Sequence, residues 1–300
     1  MAKKILVFSQ AYYPNHVGGA EVAVKEITDR ISPEDFEFHI LTLGSPGQPQ
    51  YEMMGNAHVH RVNGFSAAKS SLNGNFSSWS KYIYIPLAVI SALSLHRKHR
   101  FDAIWSIMAS YAGFAAVMFA IIQPKIPFIL TLQEGDPIPH IIRRARPAWP
   151  LFKQIFKRAA IIQAISTYLA NFAKDMGATC PTVVVPNAVS VAQFSRRGSD
   201  GKKDDSKDSS VAIDAVLAEL MAKKPGDTIL ITTGRLVHKN AVDSVIESLT
   251  LLPSSVRFVV LGIGELEQQL KEKAKALGVF GTGTAWPDLA VAAVMAWSER

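Results

Sequence analysis

A chain of 300 residues with 48% apolar and 19% charged residues can bury the cores of two ordinary domains and is not a disordered polymer. One cysteine, Cys180, excludes an internal disulfide framework and fits a reducing cytosol; set before Pro181, it lacks the electropositive surroundings of a nucleophile. The net charge of +7 comes without an aromatic-interleaved basic motif, so anionic lipid headgroups are favoured over nucleic acid, with solvated helix faces an equal reading. The first residues, Met1 to Lys4, are too short for a signal peptide and lead into a core strand. From Ile5 to Asn187, short apolar runs alternate with helical patterns. Strands are predicted at Ile5–Ser9, Phe36–Leu43, Ala103–Met108, Phe128–Leu132, Ala160–Ile165 and Thr182–Val185. The first helix opens at Gly18-Gly19-Ala20-Glu21 and carries Ala20, Val24, Ile27 and Ile31 on one face. A helix from Pro86 to Leu95 puts proline in its permitted first turn and ends at the cations His96 to Arg100. Ala103 to Ile122 carries no charge, yet reads as a buried strand followed by a helix from Tyr111 to Ile122, not as a membrane span. Ser166 and Thr167 precede another helix and cap it.

The polar run from Ser195 to Ser210 cannot bury a core and reads as a linker or surface insertion. A second alternating unit follows: helix Val211–Ala222, strand Thr228–Thr233, helix Val242–Leu252, strand Arg257–Leu261, helix Leu266–Leu277. The expected organisation is a first α/β domain over residues 1–190, a linker over 191–210 and a partial second domain over 211–300. The pattern decays beyond Gly278, so the second domain is expected to be incomplete.

Two glycine-marked loops carry the chemistry. Each follows a strand and opens a helix, the arrangement in which backbone N–H groups and the helix dipole attract an anion. The first is Tyr13-Pro14-Asn15-His16-Val17-Gly18-Gly19. The second is Gly234-Arg235-Leu236-Val237-His238-Lys239-Asn240, which adds a planar guanidinium and a compact ammonium suited to phosphate oxygens. Together they suggest a nucleotide diphosphate held by both halves. The plainer readings are a simple turn at Gly18-Gly19, surface cations at a strand end, and Asn240 with Asp243 capping the next helix. Gly262 and Gly264 lack the third glycine of a dinucleotide fingerprint, which sets a dehydrogenase aside. His58 and His60 alternate on a strand face, but no third ligand has metal spacing, so no metal site is expected. Glu134 and Asp136, in a proline-flanked loop, are either a base toward an acceptor hydroxyl or solvated carboxylates.

In this order, Tyr13-Pro14 with Gly18-Gly19-Ala20-Glu21, Thr131-Leu132-Gln133-Glu134-Gly135-Asp136-Pro137, Val185-Pro186-Asn187-Ala188-Val189, Gly234-Arg235-Leu236-Val237 with Lys239-Asn240, and Val260-Leu261-Gly262-Ile263-Gly264 resemble the retaining, nucleotide-sugar-dependent GT-B glycosyltransferases of the family 4 (group 1) type over residues 3–279. The resemblance implies an α/β fold of two Rossmann-like domains with parallel sheets. It implies sugar transfer, with retention, from a UDP- or GDP-sugar to a cell-envelope glycan or lipid-linked acceptor. It makes Gln133, Glu134, Arg235 and Lys239 catalytic, Gly18, Gly19, Arg235, Lys239, Gly262 and Gly264 diphosphate-binding, and His16, Asp136 and Asn187 acceptor-side. Where many members carry a histidine, this chain has Gln133. No metal and no cofactor are implied, since the nucleotide-sugar is a substrate, and nucleic acid is not a partner. The implied location is cytoplasmic, with peripheral contact at the inner membrane face through the basic clusters and Tyr82, Tyr84 and Ile85. The Glu-x7-Glu motif expected after Gly278 is absent from that position, which suggests a C-terminally truncated chain. The alternative is an inactive fragment acting only as a binding domain.

Overall fold

Uninterrupted apolar runs make strands that can be buried on both faces, and the first unit is built on them. The computed structural model describes residues 2–14, 18–45, 47–62, 78–189 and 228–280. It divides into two units, Met1–Gln193 and Phe194–Arg300. The predicted linker, the predicted helix Val211–Ala222, His16 and the stretch after residue 280 lie outside the described residues.

In the first unit the elements run β1 (Lys3–Phe8), α1 (Gly19–Arg30), β2 (Phe36–Leu43), β3 (Tyr51–Met54), β4 (Ala57–Val62), α2 (Ser78–His99), β5 (Ala103–Ile107), α3 (Tyr111–Ile122), β6 (Phe128–Leu132), α4 (Ile138–Ala145), α5 (Trp149–Lys157), β7 (Ile161–Ala164), α6 (Thr167–Asp175) and β8 (Thr182–Val184). The sheet order is β3-β4-β2-β1-β5-β6-β7-β8, parallel except for β3. The chain reverses its winding between β1 and β5, the topological switch point beside which ligands of such sheets bind. Alternate residues of each strand feed the two faces. Leu6, Phe8, Leu41 and Leu43 pack with α2, α3, α5 and α6, while Ile5, Val7, Phe38 and Ile40 pack with Val24 of α1.

Three sequence expectations are corrected here. Helix α2 begins eight residues before Pro86, so the proline lies inside it and not in its first turn. The helix survives the lost N–H because Tyr84, Ala88 and Ala92 on its inner face are fully buried. On α1 the buried face is Ala20, Val24 and Thr28, whereas Ile27 is 41% exposed. Finally, β4, read in the sequence only as the strand face of His58 and His60, pairs in a hairpin with β3, which the strand predictions omit. Its two-residue turn, Gly55-Asn56, has Gly55 at φ +57, and Asp29 accepts from the Asn56 N–H at 3.3 Å. Arg61 of β4 is buried, paired with Glu52 and donating to the carbonyls of Tyr13 and Pro49, both at 3.0 Å. That ties the loop after β1 to the hairpin.

In the second unit the described elements are β9 (Thr228–Thr233), α7 (Val242–Ser248), β10 (Val256–Leu261) and α8 (Glu267–Ala276). The two strands pair in parallel from Thr228↔Val256 to Thr233↔Leu261. Leu236, Val242, Ile246, Leu266, Leu270 and Ala274 form the small core between these strands and helices.

Candidate functional site

At the carboxyl edge of the first sheet, loops bring three of the predicted residues together. Gln133, the first residue after β6, is buried and accepts from the Asn187 Nδ2 amide at 3.4 Å. Asn187 is placed there because Val185 extends β8 by a bond to Ala164 and its carbonyl accepts from Gln163 at 2.8 Å. The next residue, Glu134, turns inward: Oε1 accepts from the Ala109 N–H at 2.6 Å, just ahead of α3. Its Oε2 is buried with no hydrogen-bond partner among the described residues. Burial pushes this carboxyl up to about 7, outweighing the backbone N–H groups that favour its charge. The sequence reading missed Ala109 as the partner, because the pairing joins loops after two different strands. The adjacent Met108 has φ +70, a conformation that costs an ordinary residue about 1–2 kcal/mol, and such strain gathers at functional sites. Asp136 lies 3.9 Å from Arg144 of α4, whose guanidinium also reaches the Tyr111 hydroxyl.

The loop after β1 ends at Gly18, which caps α1 in extended conformation. Its N–H is taken by the Glu21 carboxylate at 2.9 Å. One of the amides expected to face a phosphate is therefore bonded within the helix start. Space beside Gly19 is open, since a Cβ there meets nothing within 4 Å.

The second unit is built differently. Gly234 follows β9 with φ +151, and its N–H bonds the Leu261 carbonyl at 3.0 Å; Leu236 N–H bonds Ile263 at 2.9 Å, and Leu266 N–H bonds Leu236 at 3.1 Å. The two strand-end loops are thereby zipped backbone to backbone. A Cβ on Gly262 would stand 1.8 Å from the Gly234 oxygen, and one on Gly264 2.3 Å from the Leu236 oxygen. Close packing thus requires both glycines. Arg235 and Lys239 are exposed on this platform. The helix-cap reading of Asn240 does not hold, because its Nδ2 donates to the Arg235 carbonyl at 2.6 Å and Ala241 caps α7. Asp243 lies 3.8 Å from Lys273 instead.

Elsewhere the structure sorts the remaining expectations. Ser166 caps α6, accepting from the Leu169 N–H at 3.3 Å. Burial raises the Cys180 thiol pKa, consistent with an unreactive cysteine. Tyr84 is fully buried with its hydroxyl on the Leu41 carbonyl, so it cannot touch a membrane, while Tyr82 is exposed. No described helix is long and apolar enough to cross a membrane. His58 and His60, which have no third ligand at metal spacing along the chain, stand in the fold beside groups distant from them in sequence. Folding brings Glu37 and His39 of β2 and His99 at the end of α2 to the same place, and these three could hold a metal ion. His39 Nε2 is 2.7 Å from Glu37 Oε1, and His39 Nδ1 is 3.0 Å from His60 Nε2. Burial, reinforced by neighbouring imidazoles, lowers the pKa of His39 and of His60 to about 4.

Residues 17–193 match the family model of Glycosyltransferase Family 4. Among solved structures, the chain is similar to sucrose-phosphate synthase from Thermosynechococcus elongatus, with TM-score 0.68 and 11% identity over 99% of this chain and 73% of that one. It is also similar to HepE of Anabaena in complex with UDP and glucose (TM-score 0.61, 16% identity, 97% and 71% covered). A third is trehalose 6-phosphate synthase from Burkholderia multivorans (TM-score 0.61, 14% identity, 95% and 70% covered). Comparison with curated protein sequences gives no match. The structural likenesses establish the GT-B fold, and because the family match spans more than half of the residues, the chain belongs to Glycosyltransferase Family 4.

Proposed function

We propose that this glycosyltransferase moves a sugar, with retention at the anomeric carbon, from a UDP- or GDP-sugar to a cell-envelope glycan or lipid-linked acceptor at the cytoplasmic face of a membrane. The observation that carries the reading is the zipped loop pair of the second unit, where glycines 234, 262 and 264 hold the backbone close and present Arg235 and Lys239 at the strand ends. In the reaction, the bond from the anomeric carbon to the donor phosphate oxygen breaks and the acceptor oxygen takes its place. The diphosphate leaves with the bonding electrons. Preorganised cations that meet this charge are the largest catalytic contribution such a site can make. Arg235 offers a fork of donors to two phosphate oxygens and Lys239 a point charge.

In the first unit, Gln133 is assigned to sugar hydroxyls, with His16, Asp136 and Asn187 on the acceptor side. Glu134 is assigned to the proton released by the acceptor hydroxyl. A carboxyl poised near neutral pH, whose buried Oε2 has no hydrogen-bond partner among the described residues, suits that task. The UDP bound by HepE favours a uridine donor. The exposed basic residues Arg97, Lys98 and Arg100 at the end of α2 suit anionic headgroups. Calorimetric titration of the purified chain with UDP and with GDP tests the assignment. Saturable binding of one nucleotide, lost in Arg235→Ala, is expected; binding unchanged in that variant would remove the second unit's loop from the donor site.

A further inference from the structure

We propose that the amino edge of the first unit's sheet carries a binding site for a divalent transition-metal ion, best matched by zinc, with Glu37, His39 and His99 as ligands and His58 as a fourth within reach. The site is independent of the sugar-transfer chemistry, because it lies at the amino ends of β2 and β4, whereas Gln133 and Glu134 follow the carboxyl end of β6.

Three elements build it. The period-2 alternation of β2 puts Glu37 and His39 on one face, and the register His39↔His58 places the β4 imidazole beside them. Helix α2 covers that face and ends at His99, whose ring centroid lies 4.4 Å from that of His39. One ligand atom each from Glu37, His39 and His99 falls within 4.8 Å of the other two. Glu37 Oε1 is the common point, 2.7 Å from His39 Nε2 and 3.7 Å from His58 Nε2. In tetrahedral zinc with bonds near 2.0–2.1 Å, ligand atoms lie about 3.4 Å apart, so the spacings here bracket the required value. Imidazoles with one carboxylate form the borderline nitrogen–oxygen set that zinc takes.

The outer partners support the same reading. His39 uses its other nitrogen, Nδ1, to meet His60 Nε2 at 3.0 Å, and His58 uses Nδ1 to meet the Tyr51 hydroxyl at 2.8 Å. Such second contacts fix the tautomer and ring orientation of metal-binding histidines and aim Nε2 at the ion. Without metal, the short His39 Nε2–Glu37 contact requires a proton on Nε2, with Nδ1 accepting from His60. With metal on Nε2, His39 carries its proton on Nδ1 and donates to His60, which exchanges its own proton from Nε2 to Nδ1 through solvent. The proton count is unchanged. Lys4 stands 3.2 Å from Glu37 Oε2 and donates to Oε1 at 3.5 Å, so its ammonium is shared by both carboxylate oxygens and must give up Oε1 to the ion; its charge opposes a dication and lowers the affinity.

The test is calorimetric titration of the chelator-stripped chain with zinc chloride, with the thermal midpoint followed in parallel. One equivalent of saturable binding and a raised midpoint are expected. His99→Ala and Glu37→Gln alter partly exposed positions and avoid the buried His39; each should lose the binding and the midpoint shift. Tyr51→Phe should weaken binding about tenfold, the scale of an outer-partner loss. His140→Ala, on α4, should bind as the parent does. Absence of saturable binding by the parent, or binding that persists in both His99→Ala and Glu37→Gln, would overturn the proposal.

Discussion

The starts of two helices in the first unit and the paired loops of the second handle backbone polarity in opposite ways. In the first unit, Glu21 takes the Gly18 N–H ahead of α1 and Glu134 takes the Ala109 N–H ahead of α3. At Gly18 an acid already stands where the sequence pattern alone would place a bound anion. In the second unit, glycines let one backbone satisfy the other, so the polar groups are paired without any carboxylate and the side chains displayed are Arg235 and Lys239. A strand–glycine–helix pattern is therefore not one kind of site. What decides its chemistry is whether a local acid reaches the amides first.

The largest expected effect that would sharpen this contrast is Arg235→Ala. Loss of one preorganised cation at a developing phosphate charge should lower turnover by about 10²–10³-fold. Because Arg235 is exposed, denaturant midpoints should move little. Equal loss of folding and turnover would break the comparison. Next comes Gly262→Ala. Its Cβ would collide with a carbonyl oxygen that cannot yield, so unit two should lose about 3 kcal/mol in denaturant unfolding, with Gly264→Ala close behind.

Glu134→Gln addresses the first unit. The folded carboxyl pKa of about 7 exceeds its ordinary 4.5, so the native state holds the proton more tightly and stability falls as pH rises from about 4.5 to 7. Over that window the variant should gain about 3 kcal/mol on the parent, read from unfolding at pH 4 and pH 8. A constant difference between the two proteins would show that burial does not control this group. Removing the Gly18 cap with Glu21→Ala should cost about 1 kcal/mol. Smallest is Gly19→Ala: with open space for the Cβ, stability should shift by only about 0.5 kcal/mol, and in the stabilising direction. A large loss there would mean that this glycine, like Gly262, is held by close packing.

Where a signal is local, the sequence was readable. Phe36–Leu43, Phe128–Leu132 and Thr228–Thr233 are strands at the predicted limits, and Tyr111–Ile122 is the predicted helix, because apolar period and flanking prolines act within a few residues. Gly55-Asn56 also announced its hairpin locally, through a two-residue turn with positive φ, and the strand reading passed over it. Pro86 misled for the opposite reason: burial of Tyr84 and Ala92 outweighed a local helix breaker.

By itself, then, the sequence determined the alternation of strand and helix, the family resemblance and the residue types offered at each loop. Only the tertiary structure decided which of them meet. Sheet order brings Gln133 to Asn187 and Glu134 to Ala109, and strand register brings His39 beside His58. The packing of α2 then adds His99 across some sixty residues of chain from His39. Spacing along a chain reports neighbours of one element, whereas ligand sets and buried charge depend on distances that exist only once separate elements pack together.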